Sequence, residues 1–252
     1  MARFWIGTSG WNYNHWRQNF YPKGLPSREW LAFYTTQFST VELNYSFYRQ
    51  PATRSWDAWR VAAPDGFRFA VKAHRYLTHR TRLNNPAAPL ELILQGASRL
   101  HNKLGPLLYQ LPPYFKRTPE NAVRLDAFLE MLPPELEHVV EFRDKSWYGG
   151  ETLEQLRGHG VAFCCFDRQN EEPPLAATAP FAYMRFHGSG ARYHGNYTNR
   201  MLRDWAERLR ALAAGLNDVY VYFNNDWQGF APANARKLVE LLGAGVPEAA
   251  LA

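Results

Sequence analysis

The sequence of 252 residues is poor in cysteine, with only the adjacent pair Cys164 and Cys165. Neighbours in a strand point to opposite faces, so a disulfide between them would be strained, and a disulfide-stabilised secreted protein is disfavoured. Buried, reduced thiols are predicted instead. Long apolar runs are also missing: no stretch approaches the ~20 residues that a membrane helix needs, and no signal peptide is evident at the N-terminus. These absences predict a cytoplasmic protein.

Charge of one sign is not concentrated anywhere in the chain. The formal net charge is +6 and the pI is near 9.3, but no block of five or more like charges occurs. A basic protein favours anionic partners, so phosphorylated metabolites and nucleic acid are both candidate ligands. The aromatic content of 15% is high. Aromatic side chains either fill a core or line clefts that bind carbohydrates or bases.

Several ligand-binding motifs are missing as well. There is no GxGxxG or Walker sequence, which leaves a nucleotide-binding doubly wound sheet, the second candidate fold, without support. There is no HxH, HExxH or CxxC sequence, so no metal site is predicted, although Glu42, Glu141, His187 and Asp226 are a set that could converge on an ion. The sequence gives no basis for assigning a cofactor or an oligomeric state.

What the chain does contain is a regular alternation of short apolar runs and helical segments. The runs predict strands at residues 4–8, 40–44, 67–72, 107–111, 139–142, 161–166, 181–186 and 219–223. Helix N-caps are predicted at Ser27, Thr53, Thr118 and Thr198, with further helices over residues 89–105 and about 232–242. Eight such alternations in about 250 residues predict a TIM-like (β/α)8 barrel that forms one domain over residues 1–252.

Five of the predicted strands end in two polar residues that share a face. The pairs are Glu42 with Asn44, Lys72 with His74, Glu141 with Arg143, Arg185 with His187, and Asn224 with Asp226. Alternate strand residues point the same way, and barrel sites are built at the C-terminal ends of the strands. The five pairs therefore predict one polar, net cationic pocket at the C-terminal face.

The two carboxylates in this set have alternative interpretations. Glu42 and Glu141 are acid/base candidates, since two carboxyl groups in one cleft can serve as acid and base or hold a divalent metal. The alternative interpretation is that each is a structural ion-paired residue of the barrel, Glu141 with Arg143 or Lys72. His187 is a second proton-transfer candidate.

The remaining polar residues are assigned to substrate binding. Lys72, Arg143 and Arg185, with Arg168, suit an anion. Lys72 is either an ion-pairing residue or, as a strand-end lysine of a barrel, a Schiff-base nucleophile. The other predicted contacts are His74, Asn44, Asn224, Asp226 and Trp11, the last in a densely aromatic segment at residues 11–16 that either stacks on a ligand or closes the barrel mouth.

A set of short motifs, in order along nearly the whole chain, resembles the YecE-like family, domain of unknown function 72. The motifs are GTSGW (7–11), FYP (20–22), VELN (41–44), FAVK (69–72), LGPLLYQLPP (104–113), EFR (141–143), RFHG (185–188) and YFNND (222–226). This resemblance implies a TIM-like barrel and supplies no activity.

The leading functional hypothesis is an enzyme that acts on a small anionic or polyhydroxylated substrate, such as one bearing a sugar or phosphate. The predicted chemistry is that of a hydrolase, lyase or isomerase with carboxylate acid/base groups. Two alternatives stay open: a protein that binds or processes nucleic acid, and a non-catalytic barrel that binds a ligand or partner.

Overall fold

The computed structural model describes residues 2–168, 171, 173–190 and 195–244, and this part of the chain contains eight parallel β-strands. They are β1 (Arg3–Thr8), β2 (Thr40–Leu43), β3 (Arg68–Lys72), β4 (Leu104–Gln110), β5 (His138–Glu141), β6 (Ala162–Asp167), β7 (Phe181–Phe186) and β8 (Asp218–Phe223). Each predicted run overlaps one of these strands. Runs of β-branched and aromatic residues thus mark the strands, as their fit to a pleated, buried surface predicts.

The strands form a nearly closed barrel. Hydrogen-bonded neighbours follow the order β1-β8-β7-β6-β5-β4-β3-β2. The first and second strands meet at a bridge between Ser9 and Glu42, where the Gly10 amide donates to the Glu42 carbonyl oxygen at 2.8 Å. Gly7 permits this approach, because a Cβ at that position would lie 2.2 Å from the Thr40 carbonyl oxygen. The predicted TIM-like (β/α)8 fold is confirmed.

Helices surround the strands. They are α1 (Trp30–Gln37), α2 (Tyr45–Tyr48), α3 (Thr53–Ala62), α4 (Ala87–Ser98), α5 (Pro119–Leu129), α6 (Gly150–Gly158), α7 (Asn199–Leu212) and α8 (Phe230–Leu242). Between β6 and β7 the described residues form no helix. No helix in the described part of the chain is both long enough and apolar enough to cross a membrane.

Two of the four predicted helix caps are confirmed. The hydroxyl oxygens of Thr118 and Thr198 accept the backbone N–H groups of Asn121 and Met201, which satisfies a free donor in the first turn of α5 and of α7. Thr53 is wrong as a cap: it is the first residue of α3, and Ala52 precedes it with no side-chain bond.

The other helix predictions need smaller corrections. Ser27 lies in a 3₁₀ turn (Ser27–Glu29) ahead of α1 and caps nothing. The helix predicted over residues 89–105 is instead α4, which ends at Ser98, and Leu104 and Gly105 belong to β4. Leu104 fits either a helix or a strand in the sequence pattern, because a short apolar spacing is compatible with both a helix face and a buried parallel strand.

The strand side chains pack in two hydrophobic layers, one on each face of the barrel sheet. One layer lies between the barrel and the helices. The other fills the barrel interior with Trp5, Ala70, Leu108, Val139, Ala162, Cys164, Phe181, Tyr183, Tyr220 and Tyr222. Cys164 faces the interior and Cys165 the helices, and both are buried free thiols. Strand residues that continue the inward alternation beyond this interior layer form the floor of the C-terminal mouth.

Candidate functional site

A buried network of charged side chains lies at the C-terminal end of the barrel interior. Arg185 of β7 donates from Nη2 to Glu42 Oε1 at 2.8 Å and from Nη1 to Glu141 Oε2 at 2.7 Å. All three residues are at most 1% exposed. Buried charges are tolerated when they are paired and hydrogen-bonded. The Arg185 guanidinium therefore allows two carboxylates to share one interior.

The Glu42 carboxylate is held by three donors. Besides Arg185, the Ser9 hydroxyl donates to Oε1 and the Tyr183 hydroxyl donates to Oε2, each at 2.7 Å. Both oxygens therefore already accept hydrogen bonds within the barrel wall. This arrangement fixes the Glu42 side chain and ties β1, β2 and β7 together at the mouth.

The Glu141 carboxylate is equally engaged. Its Oε1 accepts from the Gln110 side-chain amide at 2.9 Å and pairs with Arg143, and its Oε2 accepts from Arg185. Burial by itself would raise the pKa of Glu141, but the positive charges of Arg143, Arg185 and Lys72 outweigh it and lower the pKa to about 2. Glu141 is therefore ionised throughout the physiological pH range.

Lys72, at the end of β3, differs from the other charged residues of the mouth. Its Nζ donates to Gln110 Oε1 at 3.1 Å and lies 4.1 Å from the centre of the Phe47 ring. Among the described residues no carboxylate lies within ion-pair distance of this ammonium. Burial, followed by repulsion from Arg185, lowers its pKa to about 7 despite the opposing charges of Glu141 and Glu42.

His187 packs beside Arg143 on the other side of the mouth. Its Nε2 lies 2.9 Å from Arg143 Nη2, and its Nδ1 lies 3.2 Å from the side-chain amide of Asn224. A guanidinium only donates, so Nε2 accepts and the ring proton is on Nδ1, where it requires the Asn224 side-chain amide to present its oxygen and not its nitrogen. Burial and the neighbouring Arg143 and Arg185 charges lower the pKa of His187 well below its usual range, so the imidazole is neutral.

The groups that reach the solvent side of the network are cationic or neutral. Lys72 is 8% exposed, and the Arg143 side chain is also 8% exposed and lies over the Phe166 ring at 4.7 Å. Gln110 and Asn224 are half-buried, whereas both carboxylates are fully enclosed. An incoming ligand thus meets an ammonium, a guanidinium and two amides before it meets a carboxylate.

Four of the predicted site residues lie away from this network. His74 accepts the Tyr76 backbone N–H on Nδ1 at 3.2 Å and lines an outer cavity of about 420 Å³ with His79. Asp226 accepts from the Trp16 indole N–H on its backbone oxygen, and its carboxylate lies 3.4 Å from His15. The remaining two, Asn44 and Trp11, line a pocket of about 390 Å³ above β1 and β2.

Three residues of the network were missed by the sequence interpretation, namely Ser9, Gln110 and Tyr183. Strand parity contains the signal for two of them. Gln110 ends β4 on the interior face, and Tyr183 stands two residues before Arg185. Ser9 follows β1 and reaches Glu42 only because the barrel closes between β1 and β2. Pairing across that seam has no signature in the linear sequence.

The charged residues do not form a metal site of the usual kind. In the residues that the structure describes, no group of three or more His, Cys, Asp or Glu side chains is arranged to hold an ion. Arg168, predicted to add to the positive lining, pairs with Glu171 at 2.9 Å. Charge at the mouth is therefore balanced mainly by arginine and carboxylate side chains.

Together, the closed parallel sheet and the polar network at its C-terminal end define a TIM-like barrel protein with a candidate site in the usual place. A profile described as "Protein of unknown function DUF72" matches residues 5–251, and the chain belongs to that family. The UPF0759 protein YunF of Bacillus subtilis is 29% identical over 269 residues, with 94% of each chain covered.

Two solved structures show the same fold. A DUF72 family protein from Thermotoga maritima MSB8 superposes with a TM-score of 0.89 at 30% identity, covering 96% of this chain and 100% of the other. A DUF72 family protein from Enterococcus faecalis V583 superposes with a TM-score of 0.83 at 21% identity, covering 98% and 97%. The family resemblance seen in the motifs is thereby confirmed.

Proposed function

We propose that the C-terminal mouth binds a small anionic substrate and that Lys72 is its proton-transfer group. The observation that carries this proposal is the unbalanced charge of Lys72. Arg185 and Arg143 account for the two carboxylates of the network, whereas the Lys72 ammonium contacts an amide oxygen and an aromatic face and has no carboxylate within ion-pair distance in the described part of the chain. A bound anion would supply the missing counter-charge.

The other residues then take supporting roles. Arg143 is the guanidinium nearest to solvent and offers a planar donor set suited to a carboxylate or phosphate. Gln110 and Asn224 orient the ligand with neutral amides. Arg185 is enclosed between Glu42 and Glu141, so it holds the floor of the site in place and raises the positive potential without touching the ligand.

The acid/base assignment shifts accordingly from the carboxylates to Lys72. The oxygens of Glu42 and Glu141 are occupied by donors, and the low pKa of Glu141 makes it a poor proton donor near neutral pH. An amine with a pKa of about 7 is present in both protonation states under the same conditions. Arg143 holds the anionic group of the substrate while the neutral form of Lys72 accepts a substrate proton, and the ammonium so formed pairs with the negative charge that develops.

Sulfate is a suitable probe, since it keeps its charge over the relevant pH range. Its affinity, measured by calorimetry, should be highest below pH ~7 and fall as the pH rises and Lys72 loses its proton. Lys72→Met should abolish that pH dependence. Arg143→Met should weaken sulfate binding about tenfold but leave its pH dependence unchanged.

Lys103→Met is the matched control, because Lys103 is equally buried but bonds the Arg60 and Ala63 carbonyl oxygens near the start of β4. This variant should bind sulfate as the parent protein does. Sulfate binding that is independent of pH, or unchanged in Lys72→Met, would contradict the proposal.

A non-catalytic ligand-binding barrel is the second candidate, and the same saturation of Glu42 and Glu141 favours it. Under that alternative Lys72 acts as a counter-charge only. Anion binding would again require Lys72, but no exchange of substrate C–H protons with solvent would accompany it. Deuterium incorporation from heavy water into a bound carboxylic acid, followed by NMR, separates the two.

A further inference from the structure

Beside the cationic centre lies a pocket of about 390 Å³ that has a different chemical character. Its walls are the rings of Trp11, Tyr45, Tyr48 and Trp59, and its rim carries the amides of Asn12 and Asn44. None of the described residues that line it is charged. Tyr45 and Tyr48 are 53% and 61% exposed, although large apolar side chains are normally covered.

Trp59 stands nearly at right angles to two other rings of this aromatic pocket. Trp59 meets Trp11 at a centroid distance of 5.9 Å and an interplanar angle of 89°, and it meets Tyr45 at 6.4 Å and 79°. Neither of these two pairs offers parallel faces between which a flat base could be sandwiched. Perpendicular rings instead offer single faces and edges, which suit a puckered ring with C–H groups on one side.

A second, independent observation concerns the amide of Asn44. Asn44 is half-buried, and its side-chain oxygen is buried and has no hydrogen-bond partner among the residues that the structure describes. A buried acceptor without a partner costs about 1–3 kcal/mol, so such atoms in native proteins call for a ligand or an ordered water. An amide oxygen accepts from a neutral donor such as a hydroxyl.

The pocket is held in shape by the strand ends that also build the charged network. The Tyr13 hydroxyl donates to the Ser9 carbonyl oxygen at 2.6 Å, and the Ser9 side chain donates to Glu42. On the other side Tyr48 also lines the cavity that contains His79, and His79 packs on Phe47 beneath the Lys72 ammonium. The aromatic pocket and the cationic centre are therefore neighbouring parts of one mouth.

The geometry points to a sugar-ring subsite in the aromatic pocket, so that the substrate is an anionic sugar with its ring against Tyr48 and Trp59 and a hydroxyl on Asn44. Aromatic faces cover the apolar side of a sugar ring, and uncharged amides bind its hydroxyl groups. This inference rests on the proposed function for the anionic part of the ligand, but the ring subsite is testable without it.

The test uses neutral sugars, namely D-glucose, D-galactose and D-ribose, with adenosine as the competing probe. Binding is followed by NMR of the indole N–H signals of Trp11 and Trp59, assigned with Trp11→Phe and Trp59→Phe. At least one sugar should shift both signals. Tyr48→Ala and Asn44→Ala should each lower its affinity about tenfold, as loss of a stacking face or of a buried hydrogen bond does.

Tyr114→Ala is the matched control, because Tyr114 is 59% exposed but does not line the aromatic pocket. It should bind the sugars like the parent protein. If adenosine shifts the two signals and no sugar does, the pocket accepts a planar base and the inference is wrong. If neither probe shifts them, there is no ring subsite.

Lys72→Met separates this inference from the proposed function. The variant should lose the pH dependence of sulfate binding and keep its affinity for the neutral sugar. Glucose 6-phosphate should bind more tightly than glucose to the parent protein, and this advantage should disappear in Lys72→Met. Sugar binding without any sulfate effect would retain the ring subsite and reject the anion site.

Discussion

Arg185 and Glu42 form a salt bridge of 2.8 Å inside the barrel, where the two side chains are 1% and 0% exposed. Arg185→Met should lower the free energy of unfolding on the order of 3–5 kcal/mol, because it leaves Glu42 and Glu141 buried without their shared cation. Glu42→Gln in the same background should recover part of that loss, measured as coupling in a double-mutant cycle by urea denaturation. The exposed pair of Arg124 and Glu120 is the control, and Arg124→Met should cost less than ~1 kcal/mol.

Glu141 should make the protein sensitive to acid. Its folded-state pKa of about 2 lies below the ordinary value of 4.5, so its contribution is complete above pH 4.5 and is lost as the pH falls towards 2. The size of that contribution is about 3 kcal/mol. Glu141→Gln should lack this part of the acid-induced loss of stability. Glu130→Gln, at an exposed position, should follow the parent protein across the same pH range.

Lys72 should have the opposite effect on stability. Because its folded-state pKa of about 7 is lower than the ordinary 10.5, the unfolded chain binds more protons between these values, and stability rises with pH across that window. Lys72→Met should therefore be more stable than the parent at pH ~7, by up to about 4 kcal/mol, with the gain shrinking towards pH ~10. A destabilised Lys72→Met at neutral pH would show instead that the charged ammonium is well solvated in the fold.

Cys164 and Cys165 should be unreactive in the native protein. Both thiols are buried, and burial raises the pKa of Cys165 to about 11 and that of Cys164 well above its usual range, so neither forms the reactive thiolate near neutral pH. A thiol reagent should label neither residue in buffer and both in denaturant, as counted by mass spectrometry. Rapid labelling of either residue before unfolding would show that the barrel opens locally.

The nucleic-acid hypothesis stays a prediction. If single-stranded DNA or RNA binds at the mouth, its affinity should fall as the salt concentration rises. The slope of log affinity against log salt should be roughly one for each Arg or Lys that contacts a phosphate. Lys72 and Arg143 are the cations of the network that reach its solvent side, so their double substitution to Met should reduce the slope of log affinity against log salt by about two. Absence of binding at low salt would remove the hypothesis.

The sequence predicted best those features that depend on neighbouring residues alone, namely strand positions and side-chain directions. Strand positions follow from apolar runs, and inward placement of Glu42, Lys72, Glu141 and Arg185 follows from alternation along a strand. Helix boundaries were less certain: Thr118 with Pro119 marks a true cap, whereas Thr53 does not. A cap depends on backbone geometry at one residue, which composition alone does not specify.

His74 and Asp226 lie beyond the point at which alternation along a strand predicts the direction of a side chain. Both continue the parity of the strand before them, but the chain has already turned: His74 bonds to Tyr76 within its own loop, and Asp226 contacts the loop that carries His15 and Trp16. Side chains alternate between the two faces only where the backbone is extended.

The sequence by itself determined the family, the eight strands and the polar character of the strand ends, because periodicity and motif order are properties of the linear chain. Only the tertiary structure decided how those polar groups are used. Closure of the barrel brings Glu42 and Glu141, 99 positions apart in the chain, onto one arginine, and among the described residues it places no carboxylate within ion-pair distance of Lys72. Ion pairing depends on distances of a few ångströms across the barrel, and spacing in the sequence does not contain them.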